Sequence, residues 1–188
     1  MTERSRGLKV IKAGFLTLLQ DAGRTRVMHQ GLASGGAMDR HAWAWANRLL
    51  GNAYHTPTLE VTFGSLELES RTTTRIAVTG AAVPCTINGN PHPLWRTLQL
   101  YPGDRLQLGT PKSGLRSYLA VSGGFAVTQG LGGSCATLVR EGTGGLHDNG
   151  QPVRDGDELP CGSPPSEAMS NPPPAGFPNT GFRTTVNR

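Results

Sequence analysis

The stretch QGLASGGAMDRHAWAWANRLLGN, residues 30–52, places Ser34-Gly35-Gly36-Ala37 just ahead of Asp39 and a segment of helical periodicity. Backbone this rich in glycine lets several N–H groups approach one ligand, and a helix start adds more of them with the positive end of its dipole. Such a site suits phosphate or carboxylate. Asp39 complicates it: as N-cap it uses part of the same donor set and adds negative charge, so a bound anion calls for a compensating cation such as Arg24. On the residues alone two readings stay open, an anion cradle or glycines that merely permit a tight turn.

Other nucleophiles and ligands are weaker. Ser34 lacks the Gly-x-Ser-x-Gly spacing of a nucleophile elbow. Cys135 is flanked by small residues that would admit a substrate, yet lone cysteines usually serve as small buried hydrophobes. His29, His41, His55, His92 and His147 show no metal-ligand spacing. Asp21, Asp39 and Glu60 stand at polar–apolar boundaries, where a carboxylate orients a substrate, acts as a base, or pairs with Arg24 or Arg116.

These residues need a scaffold. The 26 glycines and 14 prolines mark many turns with short apolar alternations between them, so the expected class is mainly β. In TLEVTFGSLELES, residues 58–70, Leu59, Val61 and Phe63 alternate with polar neighbours, and Leu66 and Leu68 resume the period after Gly64. LKVIKAG, RIAVTG, TLQL, RLQLG and SYLAVSGG are further strand candidates, with turns at Asn88-Gly89, Pro102-Gly103 and Asp155-Gly156. Gly-Asp-x-Leu occurs twice after a turn, at Gly103–Leu106 and Gly156–Leu159, and reads as a structural device. Residues 39–50 are predicted as the one prominent helix, capped by Asp39, with an apolar stripe of Ala42, Ala46, Leu49 and Leu50. Of Trp43 and Trp45, one is expected in the core and the other partly covered. From residue 163 a stretch rich in proline, serine and asparagine predicts an extended or disordered tail.

Composition excludes several classes. At 188 residues the chain is expected to form one domain with a real core. The net charge of +5 is scattered among acids, without the basic run that tracks a phosphate backbone, so nucleic-acid binding is not expected. Three widely spaced cysteines give no disulfide framework and suit a reducing compartment. Nothing approaches the roughly 20 apolar residues of a membrane span, and no apolar stretch follows MTERSRGLKV. A cytoplasmic protein without membrane contact is expected.

The ordered succession LLQDAGR (18–24), SGGAMD (34–39), ANRLLGN (46–52), TLEVTFG (58–64), VTGA (78–81), GDRLQLG (103–109), RSYLAVSGG (116–124), GSCAT (133–137) and DGDELP (155–160) resembles the biotin-dependent carboxyltransferase-like family. This is the family of the 5-oxoprolinase C subunit, also described as allophanate hydrolase subunit 2. The resemblance implies a cyclophilin-like β-barrel over residues 8–162. It also implies partnership with the 5-oxoprolinase B and A subunits in ATP-dependent opening of 5-oxoproline to L-glutamate. Relatives continue into a second barrel portion, so a C-terminally truncated member is expected, and an extra glycine in GLGGSCAT departs from the pattern around Cys135.

A lactam amide is a poor electrophile, and phosphorylating its oxygen creates a leaving group, so the implied site must hold phosphate and carboxylate oxygens together. On residue type, Ser34, Gly35 and Gly36 would donate N–H groups to phosphate, and Arg24 or Arg116 would clamp carboxylate or phosphate. Asp21 and Asp39 are the candidate catalytic carboxylates, orienting the substrate. Two alternatives accompany this reading: a carboxyltransferase acting on urea with biotin supplied by a partner, and a regulatory binding protein antagonising a kinase inhibitor.

Overall fold

A computed structural model describes residues 7–164; the tail expected from 163 lies, from residue 165 on, outside the described residues. Eleven strands and one α-helix follow in chain order: β1 (Gly7–Lys12), β2 (Leu16–Gln20), α1 (Arg40–Leu49), β3 (Thr58–Thr62), β4 (Leu66–Ser70), β5 (Thr74–Gly80), β6 (Cys85–Ile87), β7 (Asn90–Pro91), β8 (Thr97–Leu100), β9 (Arg105–Leu108), β10 (Arg116–Val121) and β11 (Glu158–Pro160). They form two antiparallel sheets. One runs β11-β1-β4-β9-β6-β7 and the other β2-β3-β10-β5-β8. The mainly β class with one helix is what the turn density and short alternations predict.

The core lies between the sheets. Leu8, Val10, Leu66, Leu68, Leu106 and Leu108 from the first sheet meet Leu19, Leu59, Val61, Ile76, Leu119 and Val121 from the second. Alternation in LELES gives the expected burial, in and out by turns. In β3, however, all five residues are buried. The reason is α1, which packs with the loop before it on the other face of the second sheet, so the polar half of the alternation is covered too.

A helix of ten residues is marginal in isolation and holds through its tertiary contacts. Trp43 is 1 % exposed and packs with Ala42, Ala46 and Leu50 against Ala77, Tyr118 and Ala120 of the sheet. Truncating a ring buried this fully costs about 3–5 kcal/mol. Trp45 is half-buried, so the pair divides as its spacing predicts. Polar ties add to the packing: Thr79 Oγ1 donates to the Ala42 carbonyl at 2.7 Å and Thr97 Oγ1 to that of Leu49 at 2.9 Å. Asp39 caps the helix through Oδ1, which accepts the Ala42 N–H at 2.9 Å. The chain leaves it through Leu50 and a left-handed Gly51.

The two Gly-Asp-x-Leu segments do the same work on one sheet. Asp104 Oδ2 accepts the Tyr101 N–H at 2.8 Å, and Asp157 Oδ2 accepts that of Arg154 at 2.9 Å. Each turn then docks on a neighbouring strand. Gly103 N–H donates to the Ser70 carbonyl while Ser70 N–H donates to that of Asp104, and Gly156 and Asp157 repeat the pair with Val10, all four at 2.8 Å. Leu106 and Leu159 enter the core. Hydrogen bonding to the Tyr101 amide and to Asn88 holds the Asp104 carboxyl below the ordinary carboxylate range.

Candidate functional site

The chain leaves β2 at Asp21, whose side chain is fully buried. Its Oδ1 accepts the Gly23 N–H at 2.7 Å and the Ser134 hydroxyl at 2.6 Å. Oδ2 accepts the Cys135 N–H at 2.8 Å and its thiol at 3.4 Å. The Asp21 carbonyl takes the Ala37 N–H at 2.9 Å. One residue thus gathers three loops, 21–24, 34–37 and 133–137. Four donors spread its charge, which offsets the cost of taking a carboxylate out of water. Burial, and then the charge of Asp21, push the Cys135 thiol far above its ordinary range, so it stays protonated and acts as a donor. A nucleophilic thiolate has no support there.

Arg24 lies beside this knot and is 6 % exposed. Nη2 donates to the Ala136 carbonyl and to Thr143 Oγ1, both at 3.1 Å. Nη1 is buried with no hydrogen-bond partner, and no ion pair joins Arg24 to a carboxylate among the described residues. Two glycines make room for the guanidinium. A Cβ on Gly35 would sit 3.5 Å from Nη1 and 2.8 Å from Leu138 Cδ2, and one on Gly144 would strike the Ala136 carbonyl and come within 3.0 Å of Nη2. Both have positive φ, +62° and +71°, the left-handed region glycine tolerates.

At the mouth of α1 the donors divide. The Met38 N–H donates to Glu60 Oε2 at 2.9 Å, and the Asp39 N–H to the Tyr118 hydroxyl oxygen at 2.7 Å. That hydroxyl donates in turn to Glu60 Oε2 at 2.7 Å. Glu60 Oε1 lies 3.3 Å from Arg116 Nε, an ion pair whose N–H is turned away from a hydrogen bond. Burial first, and the Glu60 carboxylate after it, push the Tyr118 phenol well above its ordinary range, so it remains a donor. The amides of Gly35 and Gly36 have no partner among the described residues.

The residues predicted from sequence therefore fall into two linked groups. Asp21, Arg24, Gly35 and Gly36 meet at the first, where the Ser34 carbonyl accepts the Arg24 N–H at 2.7 Å while its side chain faces solvent. Asp39 and Arg116 belong to the second, built on Glu60 and Tyr118, and the loop 34–39 joins the two. Sequence reasoning missed Tyr118, Ser134 and Thr143. Tyr118 carries the clearest signal, one hydroxyl in the otherwise apolar run YLAV. Among the described residues, no group of three or more His, Cys, Asp or Glu is placed to hold a metal ion, and no helix is long and apolar enough to cross a membrane.

A family model described as the carboxyltransferase domain, subdomain A and B, matches residues 30–186. The 5-oxoprolinase C subunit of Escherichia coli K12 is 40 % identical over 162 residues, 86 % of this chain and 51 % of that protein. Urea amidolyase of Lachancea kluyveri is 34 % identical over 168 residues, covering 89 % of this chain and 9 % of its own length. Among solved structures, K. lactis urea amidolyase superposes with a TM-score of 0.80 at 33 % identity, over 90 % of this chain and 10 % of that one. TTHA0988 gives 0.81 at 28 %, over 92 % and 34 %. The chain spans about half the length of the 5-oxoprolinase subunits it matches, 51 % in one case and 45 % in another.

Proposed function

Since this chain belongs to the carboxyltransferase-domain family, subdomains A and B, we propose that it forms part of one subunit of an ATP-dependent 5-oxoprolinase complex. In that reading it acts with the A and B subunits of that complex, in the cytoplasm, on the conversion of 5-oxoproline to L-glutamate. Residues 8–162 supply the N-terminal portion of a cyclophilin-like barrel, to which the two sheets contribute. The likeness to the Escherichia coli 5-oxoprolinase C subunit, 40 % identical over 86 % of the chain, supports the substrate class.

One observation carries the chemistry: a buried Arg24 guanidinium without an acid partner among the described residues, lying under the Gly35 backbone. A cation so placed favours an anion, and hydrogen bonds to charged groups are about twice as strong as neutral ones. The Gly35 and Gly36 N–H groups add donors on the same loop. These residues fit the oxygens of a carboxylate or a phosphoryl group. ATP, when bound, would supply a phosphoryl group that activates the lactam carbonyl carbon toward water, so that the ring C–N bond can break and phosphate is released. The chain's own part is to hold and orient: Arg24 with Ser34, Gly35 and Gly36 takes one anionic group, and Arg116 takes another. Asp39 lies at the solvent-exposed mouth, where its carboxylate orients the substrate. Asp21 acts from below by fixing the three loops.

The test reconstitutes the complete subunit with its partners and follows glutamate formation from 5-oxoproline. Turnover that requires ATP, and falls by about 100-fold or more in Arg24→Ala, is expected. Unchanged turnover in that variant would remove Arg24 from the site. A second reading, biotin-dependent carboxyl transfer to urea, draws on the urea amidolyase relatives and their structures. Avidin separates the two, since it inhibits only a route in which a partner's biotin takes part.

A further inference from the structure

Among the described residues, Glu60 is the group that touches both the loop ahead of α1 and a candidate clamp. It is 4 % exposed, and β3 pairs with β10 so that Glu60 faces Tyr118 and Thr62 faces Arg116, putting all four side chains on one face of the sheet. Oε2 receives the Met38 N–H and the Tyr118 hydroxyl, whose oxygen receives the Asp39 N–H. Oε1 faces Arg116. We infer that Glu60, partly through Tyr118, is a positioning residue that sets the Gly35–Gly36 amides and the Arg116 guanidinium relative to each other for an anionic substrate.

Two features point beyond packing. A buried carboxylate is a costly way to satisfy one main-chain N–H and a phenol hydroxyl that a neutral acceptor would serve, so its charge has another use. That charge faces Arg116, whose side chain is 29 % exposed and turned so that Nε makes the ion pair without a hydrogen bond. Glu60 also occupies the Met38 amide, and through Tyr118 the Asp39 amide, while the amides of Ser34, Gly35 and Gly36 have no partner among the described residues. A substrate anion therefore meets a loop in which those donors are still available.

The inference rests on the proposed anion chemistry, so the experiment is built to separate the two. The complete subunit, joined to its partners, is assayed as wild type with 5-oxoproline and ATP, and with urea and a biotin carboxyl donor. KM and kcat of Glu60→Gln, Glu60→Asp and Tyr118→Phe are then measured on whichever substrate the wild type turns over. Hydrogen exchange of peptides spanning 34–39 is followed in all four proteins. Glu60→Gln is expected to raise KM by about tenfold with kcat within about threefold, and Tyr118→Phe to raise KM by about three- to fivefold. Glu60→Asp is expected to recover part of the loss. Exchange over 34–39 speeds up in Glu60→Gln and Tyr118→Phe. A KM within about twofold of wild type in Glu60→Gln overturns the inference even if 5-oxoproline is the substrate. If the wild type turns over neither substrate, the functional reading fails by itself, and unchanged exchange over 34–39 overturns the positioning role.

Discussion

Two carboxylates are buried against the same glycine loop, and they are handled in opposite ways. Asp21 is surrounded by neutral donors and fully satisfied by them: an amide of its own loop, the Ser134 hydroxyl, and the amide and thiol of Cys135. Glu60 shares its charge with Arg116 and takes two donors on its other oxygen. A carboxylate held by main-chain donors cannot change partners without the loops moving, whereas one facing a partly exposed arginine can. Asp21 therefore acts as the knot that makes the site exist, and Glu60 as the joint that sets its spacing.

Removing the knot has the largest effect. Asp21→Ala strands the Gly23 and Cys135 amides and the Ser134 hydroxyl, each an unsatisfied buried donor costing about 1–3 kcal/mol, and is expected to destabilise by about 4 kcal/mol or more. Urea denaturation measures it. A loss under about 1 kcal/mol would show that the three loops stand without Asp21. Gly144→Ala comes next, at about 2–3 kcal/mol, because the new Cβ strikes the Ala136 carbonyl that Arg24 also uses. Gly51→Ala is the control. Its φ is +70° but nothing lies within 4 Å of the added Cβ, so about 1 kcal/mol is expected. Equal losses in the two would mean the carbonyl moves aside freely.

Changing the joint is milder. Glu60→Gln keeps a weaker, neutral acceptor for Met38 and Tyr118 and sets an NH2 group against Arg116, so about 1–2 kcal/mol of stability is expected to be lost in the same denaturation experiment. A loss as large as that of Asp21→Ala would erase the distinction between the two carboxylates.

The same contrast shows what the sequence can reveal. Asp39 as N-cap, the helix, and most strands follow from patterns a few residues long, and the structure places them within a residue or two. The Gly-Asp-x-Leu repeat is legible for the same reason, since each turn bonds its own amide three residues back. Leu16–Gln20 escapes that reading because LTLLQ does not alternate; Thr17, Leu19 and Gln20 are all buried. The site is least legible of all. Asp21 meets Ser134 across 113 residues of chain, and Arg24 meets Thr143 across 119, so no local spacing announces either contact. Residue type singles out Asp21, Arg24 and Glu60 as groups needing partners. Only the fold says which partners they find.

Alkaline pH separates the two regions with the smallest expected effect. Cys135 on the Asp21 side and Tyr118 on the Glu60 side both have folded pKa values raised above the unfolded ones, chiefly by burial. A raised pKa means the contribution is complete below the unfolded value and is lost as pH rises toward the folded one. The ordinary values are 9.0 for the thiol and 10.0 for the phenol, so the thiol side weakens first. At about pH 9.5 a thiol that ionises only in the unfolded chain removes about 0.8 kcal/mol. Cys85, raised by burial to about 11, loses the same amount in every variant and cancels from the comparison. Between about pH 8 and 9.5 Cys135→Ala is thus expected to lose less stability than wild type by that amount, while Tyr118→Phe tracks wild type and diverges only above about pH 10. Stability from urea denaturation at half-unit pH steps checks the order. If Tyr118→Phe flattened the curve first, the phenol would be ionising in the unfolded chain before the thiol, against the order of their ordinary values, and the assignment of the first loss to Cys135 would fail.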